Sequence, residues 1–285
     1  MRSVLTVPVV RPRFIENAPQ SEADVICLDI EDSVPPAEKE RARGLAADAL
    51  GSIAAGAYAK FVRINGPTTG LMEDDLAGVV RPGLEGVVVS KADSAEVIRA
   101  VDDQITALER QHRIEPGSVA IVPLIETARG VTKCLEICEG SPRVTAAIFG
   151  AEDYATDLGI VRTEGGDEVL WARTKVAVDC HAARVVPIDT PDPDYTDEAH
   201  LEREMASARA LGYRGKLVIH PTQVAIANRV FMPSETEVSE ARLIIEVFER
   251  DGIARGLAAI PLDGKMVDTP IYLRAKRLLE WAERA

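Results

Sequence analysis

Short runs of apolar, mostly β-branched residues recur along the chain at positions 4–7, 23–30, 60–64, 86–89, 119–125, 144–149, 184–188 and 216–219. Most are continuously apolar, the pattern of parallel strands covered on both faces. Segments with helical periodicity lie between them, at 36–54, 94–111, 130–138, 168–183 and 199–211. Alternation of this kind builds right-handed βαβ units. Eight strands closed on themselves make a TIM barrel, and an open doubly wound sheet is the competing arrangement. The expected fold is an α/β TIM (β/α)8 barrel over residues 1–230 with a C-terminal helical extension over 231–285. In the extension the pattern predicts a helix over 234–253, opening on Ser234 with Glu235 and Glu237 in its first turn, then a loop over 255–267. A last helix follows over 269–285, with Pro270 in its first turn. Because the barrel is complete without it, the extension is expected to pack on a neighbouring subunit.

Composition narrows the function classes. No run in the 285 residues approaches the roughly 18 to 20 apolar positions of a membrane span. The opening MRSVLTVPVV has neither the longer apolar core nor the cleavage site of a secretory leader, and reads as the first strand. A net charge of −13 repels nucleic-acid backbones and anionic membranes at long range, so neither is an expected partner and any anionic substrate must be met by a local basic site. Four cysteines, Cys27, Cys134, Cys138 and Cys180, lack CxxC spacing and a well-placed histidine. They read as reduced, buried thiols of a soluble cytoplasmic protein, including Cys134 and Cys138 one helical turn apart.

In a TIM barrel the chemistry gathers where strands end at their C-termini. Those positions are polar here: Asp29, Glu31 and Asp32 in LDIEDSV, Arg63 and Asn65 in FVRIN, Lys91 after the fourth run, Glu126 in PLIETARG, Glu152 and Asp153 in GAED, and His220 in IHPTQ. Carboxylates converging on one mouth repel unless a cation sits among them. An oxygen-only donor set favours Mg²⁺. Glu126 and Asp153, from adjacent strands, are the expected direct ligands, with Glu31 and Asp32 holding metal-bound waters. Arg63 can take a carboxylate in a bidentate fork and, with the metal, orient a 2-oxo acid such as glyoxylate, oxaloacetate or pyruvate. Asp29 either pairs with Arg63 or acts directly, and Glu152 is expected to serve the turn before the next helix. Lys91 is a Schiff-base lysine or an electrostatic one, and His220 either ends a strand or binds ligand. The glycines of TARG and IFGAED are expected to admit substrate closely.

LDIEDSV, FVRIN, PLIETARG, IFGAEDYATDLG, GYRGKLVIHPTQ and GKMVDTP occur in this order and together resemble the citrate lyase β-subunit-like (CitE-like) family of the HpcH/HpaI aldolase superfamily. The resemblance runs from Val4 to the end of the chain. It implies a TIM barrel that breaks or forms carbon–carbon bonds in acyl-thioesters, with Mg²⁺ on Glu126 and Asp153, the oxo acid on Arg63 and Glu126, and a homotrimer or dimer of trimers. Asp268 in MVDTP matches an acid that a neighbouring subunit supplies for proton transfer at the thioester α-carbon. The implied reaction is reversible Claisen-type cleavage of a malyl-, citramalyl- or citryl-CoA-like 3-hydroxyacyl-CoA to an acyl-CoA and a 2-oxo acid. A thioesterase on the same metal site, or a citrate lyase β subunit acting on a citryl carrier-protein thioester, are the alternatives. Lys216 and the backbone near His220 are candidates for the CoA phosphates. Two departures from the family pattern, Val9–Val10 after Pro8 and Ser90 before Lys91, are expected to line the substrate entrance.

Overall fold

The computed structural model describes residues 1–284. The chain divides into two compact units, Met1–Phe231 and Met232–Ala285. In the first unit eight parallel strands close in sequence order, β1 pairing with both β2 and β8. They are β1 (Ser3–Pro8), β2 (Val25–Asp29), β3 (Ala59–Ile64), β4 (Gly86–Val89), β5 (Ala120–Ile125), β6 (Ala146–Phe149), β7 (Val186–Asp189) and β8 (Gly215–Val218). The helices around them are α1 (Pro12–Asn17), α2 (Lys39–Ser52), α3 (Met72–Val79), α4 (Ala95–His112), α5 (Ala128–Thr132), α6 (Cys134–Cys138), α7 (Ala151–Leu158), α8 (Asp167–Ala183), α9 (Glu198–Leu211) and α10 (Pro221–Val230). This is the TIM barrel that the strand and helix rhythm predicts. The short α1, α3, α7 and α10 carry too few periodic positions to stand out in the sequence.

Side chains alternate across each strand, and the alternation explains the site. One buried cluster takes every second residue: Val25 and Cys27 of β2, Phe61 of β3, Val88 of β4, Val122 and Leu124 of β5, Ala146 and Ile148 of β6, and Ile188 of β7. Two residues further along these same rows stand Asp29, Arg63, Glu126 and Gly150. The polar residues are therefore the top rung of an apolar ladder.

The second unit contains α11 (Glu235–Val247), α12 (Thr269–Arg284) and, between them, an antiparallel hairpin of β9 (Ala259–Leu262) and β10 (Lys265–Asp268). The hairpin replaces the expected loop over 255–267. Asp263 and Gly264 both adopt positive φ, 48° and 74°, the two-residue Asp-Gly turn whose twist matches antiparallel strands. Phe248, Ile260 and Val267 form this unit's own core, with Ile244, Val247, Ile271 and Tyr272 packed on it. Ser234 caps α11 reciprocally with Glu237. Among the described residues no helix is long and apolar enough to cross a membrane.

Candidate active site

Asp29 and Arg63 are register partners on β2 and β3. The Arg63 guanidinium donates through Nε to Asp29 Oδ1 at 2.8 Å and through Nη2 to Oδ2 at 2.7 Å. Of the two readings of Asp29, the paired one describes this geometry. Burial pushes the Asp29 carboxyl up, but the charge and hydrogen bonds of Arg63 more than reverse this and leave it below its ordinary value. The fork expected to face a substrate is thus occupied along one edge. Nη1 remains directed at Glu31 Oε2, 3.3 Å away.

The β2 loop is held as a frame. The Glu31 N–H donates to Asp29 Oδ1 at 2.9 Å, and Lys39 Nζ donates to the carbonyls of Ile30 and Glu31 and to Asn65 Oδ1. Asn65 in turn donates to Asp75 Oδ2 at 2.6 Å. Asn65 is therefore part of the scaffold beneath the site. Glu31 is almost fully buried, and the side chain of Asp32 is more than half exposed.

Glu126, 2% exposed at the end of β5, accepts the backbone N–H of Lys91 at 2.8 Å. Burial and then the charge of Asp153 raise its carboxyl well above the ordinary range, and Lys91 and Arg63 offset this only in part. A β-carbon at Gly150 would lie 2.6 Å from both Cβ and Oε2 of Glu126. Likewise a β-carbon at Gly130 would meet the Ala92 carbonyl at 2.7 Å. These glycines make room for protein atoms, which corrects the expectation that they admit substrate.

Gly150 is the N-cap of α7, which places Glu152 and Asp153 in the first turn, where acids complement the helix dipole. Glu152 pairs with Arg162, beyond the end of α7, at 3.0 Å, and no side chain caps the turn that it was expected to serve. Asp153 approaches Lys91 Nζ at 3.6 Å. Burial lowers the Lys91 ammonium's pKa, but its hydrogen bond to Glu31 and the charges of Glu126, Glu31 and Asp153 outweigh this and hold it above the ordinary lysine value. A Schiff-base lysine needs the opposite shift, so the electrostatic reading stands.

Several other candidates have structural partners of their own. Lys216 has the outward parity on β8, is 1% exposed and donates to Asp189 Oδ2 at 2.7 Å, beside the Arg173–Asp189 fork. It cannot greet a phosphate. His220 is the N-cap of α10: its Nδ1 accepts the Thr222 N–H at 3.3 Å, and its ring stacks on Tyr195 at 4.5 Å. Val9 and Ser90 are fully buried and line no entrance, whereas Val10 is half-buried. Asp268 ends β10 in the second unit, where its Oδ1 accepts the Ile271 N–H at 3.2 Å. Cys134 and Cys138 of α6 are joined by Cys180 of α8, the three buried sulfurs lying within 4.8 Å of one another. Cys180 could have been placed beside them only from the packing of α6 on α8.

The donor set at the mouth fits a hard divalent cation: Glu126 is buried, burial and the charge of Asp153 raise its carboxyl, and Asp153, Glu31 and Asp32 face the same lysine. Comparison with known proteins agrees with the barrel and its motifs. Residues 2–221 match the model of the family described as HpcH/HpaI aldolase/citrate lyase. The chain is 40% identical to the citrate lyase subunit beta-like protein of Deinococcus radiodurans, covering 98% of this chain and 96% of that one. It is 34% identical to the L-malyl-CoA/beta-methylmalyl-CoA lyase of Cereibacter sphaeroides, covering 99% and 94%. Its fold is similar to that of the protein CitE from Mycobacterium tuberculosis in complex with magnesium, acetoacetate and coenzyme A, with a TM-score of 0.80, 26% identity and coverage of 99% and 100%. The chain belongs to the HpcH/HpaI aldolase/citrate lyase family.

Proposed function

We propose that this chain is a magnesium-dependent carbon–carbon lyase that cleaves a 3-hydroxyacyl-CoA to an acyl-CoA and a 2-oxo acid, reversibly. The observation that carries this reading is Glu126, a nearly inaccessible carboxylate at the top of the lumen with Asp153, Glu31 and Asp32 gathered around one ammonium beside it. Glu126 and Asp153 would hold the metal, with Glu31 and Asp32 taking its waters. When bound, the metal supplies Lewis-acid polarisation of the oxygen that becomes the ketone.

This chain's own residues do the rest. Arg63, braced by Asp29, presents its remaining donors to the carboxylate of the oxo acid and fixes its orientation. In cleavage the hydroxyl proton passes to solvent, the oxygen's freed electron pair closes the ketone, the carbon–carbon bond breaks, and its electron pair moves onto the thioester α-carbon as an enolate. Asp268, contributed by a neighbouring subunit of a trimer or dimer of trimers, gives that carbon a proton, and in condensation removes it.

Incubation with Mg²⁺ and malyl-, citramalyl-, citryl- and 3-hydroxy-3-methylglutaryl-CoA tests the reading. A 2-oxo acid appearing with the shortened acyl-CoA is the expected result. Free CoA with an intact hydroxy acid would make the protein a thioesterase. Turnover only on a carrier-protein thioester would make it a citrate lyase β subunit.

A further inference from the structure

Lys91 stands in an unusual position. Its φ is +51°, a left-handed conformation that a β-carbon disfavours and that persists where the surroundings enforce it. The same turn aims its N–H at Glu126 Oε1. It also carries Nζ to 2.9 Å from Glu31 Oε1, 3.6 Å from Asp153 Oδ1, and 3.9 Å from both Glu126 Oε1 and Asp32 Oδ2. One ammonium therefore sits among four carboxylates. Arg63 is committed to Asp29 and reaches only Glu31 among the four. Among the described residues, Lys91 is the one cation within ion-pair distance of Glu126, Asp153 and Asp32.

These are the same carboxylates that the proposed function gives to magnesium, and the present inference rests on that reading. A dication needs oxygens at about 2.0–2.1 Å, and an ammonium sharing those oxygens repels it. We infer that Lys91 is the resident counter-ion of the metal-free site, and that magnesium loading is a cation exchange in which the ammonium gives up Glu126 and Asp153. Lys91 is then a positioning residue with two effects. It keeps the carboxylates assembled when the metal is absent, and it weakens metal binding by competing for the same oxygens.

The test uses the full-length protein stripped of metal with EDTA, with all variants compared at one pH of about 8, well above the ordinary carboxylate range. Magnesium affinity is measured by calorimetric titration and stability by thermal unfolding, for the wild type, Lys91→Met, Lys91→Gln and Lys91→Arg. Methionine keeps the β-carbon and the stem, so the backbone strain is common to both proteins. Glutamine keeps a donor for Glu31, and serves should the methionine variant not fold. Removing the charge is expected to tighten magnesium binding by at least about tenfold and to lower the melting temperature of the stripped protein, with the difference closing as magnesium is added. Lys91→Arg should stay close to the wild type in both measurements. Magnesium affinity unchanged or weakened in Lys91→Met and Lys91→Gln, with normal binding by the wild type, would overturn the inference and leave the metal site standing. So would an unaltered melting temperature of the stripped variants. A wild type that binds no magnesium would overturn the metal site and this inference together.

Discussion

Replacing Asp29 by asparagine isolates the brace beneath Arg63. Asp29 is fully buried, holds the guanidinium by two bonds of 2.8 and 2.7 Å, and accepts the N–H groups of Glu31 and Ser33 at 2.9 and 3.3 Å. An amide is nearly isosteric but uncharged, and its NH2 must face one of these donors. Breaking one side of a buried ion pair costs about 3–5 kcal/mol. Glu31, 3.3 Å from Arg63 Nη1, keeps part of the compensation, so the lower end, about 3 kcal/mol, is expected near neutral pH. Urea unfolding followed by circular dichroism measures this as the shift in midpoint at unchanged slope. The pH dependence has a definite sign. Asp29 has a lowered pKa in the folded protein, so its contribution is present above the unfolded value of about 3.9 and is lost as pH falls through the folded one. The penalty of Asp29→Asn must therefore shrink in acid. A penalty under about 1 kcal/mol at neutral pH, or one that grows below about pH 4, would refute the assignment of Asp29 as the brace.

Gly150→Ala drives a β-carbon into Glu126; it should cost about 1–3 kcal/mol and weaken magnesium binding in a titration, and wild-type affinity would count against Glu126 as a ligand. Because the Glu126 carboxyl is raised, the metal-free protein should lose stability as pH rises from the ordinary glutamate value through the raised one. Over the same range magnesium uptake should release a proton, so a binding enthalpy independent of buffer ionisation would contradict this. His220→Ala removes the cap of α10 and should cost about 1 kcal/mol without lowering kcat; a large fall in turnover would return His220 to the active site.

The barrel was legible because each strand is a short apolar run with a polar residue where it stops, and the prediction needed only their number and alternation. Which polar residue enters the mouth depends on parity. Asp29, Arg63 and Glu126 follow alternate apolar residues into the lumen, whereas Lys216 starts on the opposite parity and ends beside Asp189. Strand ends alone could not separate them, but counting in twos would have. The hairpin in the second unit has its turn in Asp263–Gly264, but the strand after it opens on Lys265 and leaves only Met266–Val267 apolar, too short a run to read as a strand. The left-handed turn of Lys91 leaves no mark in composition, since lysine is not a residue that favours it. The clash that makes Gly150 indispensable comes from Glu126, 24 positions away in sequence, and only closure of the barrel brings the two together.

The apolar ladder below the polar rung also shapes the field. With Val122, Leu124, Ala146 and Ile148 filling the lumen underneath, the carboxylates rest on a low-dielectric floor that sends their potential outward through the mouth. Under the proposed function a small dication would be drawn in along that potential, while an anionic thioester would meet it as a barrier until the dication had arrived. On that reading the expected order of entry is metal before thioester, and rising salt should slow the first step while easing the approach of a thioester to the metal-free protein.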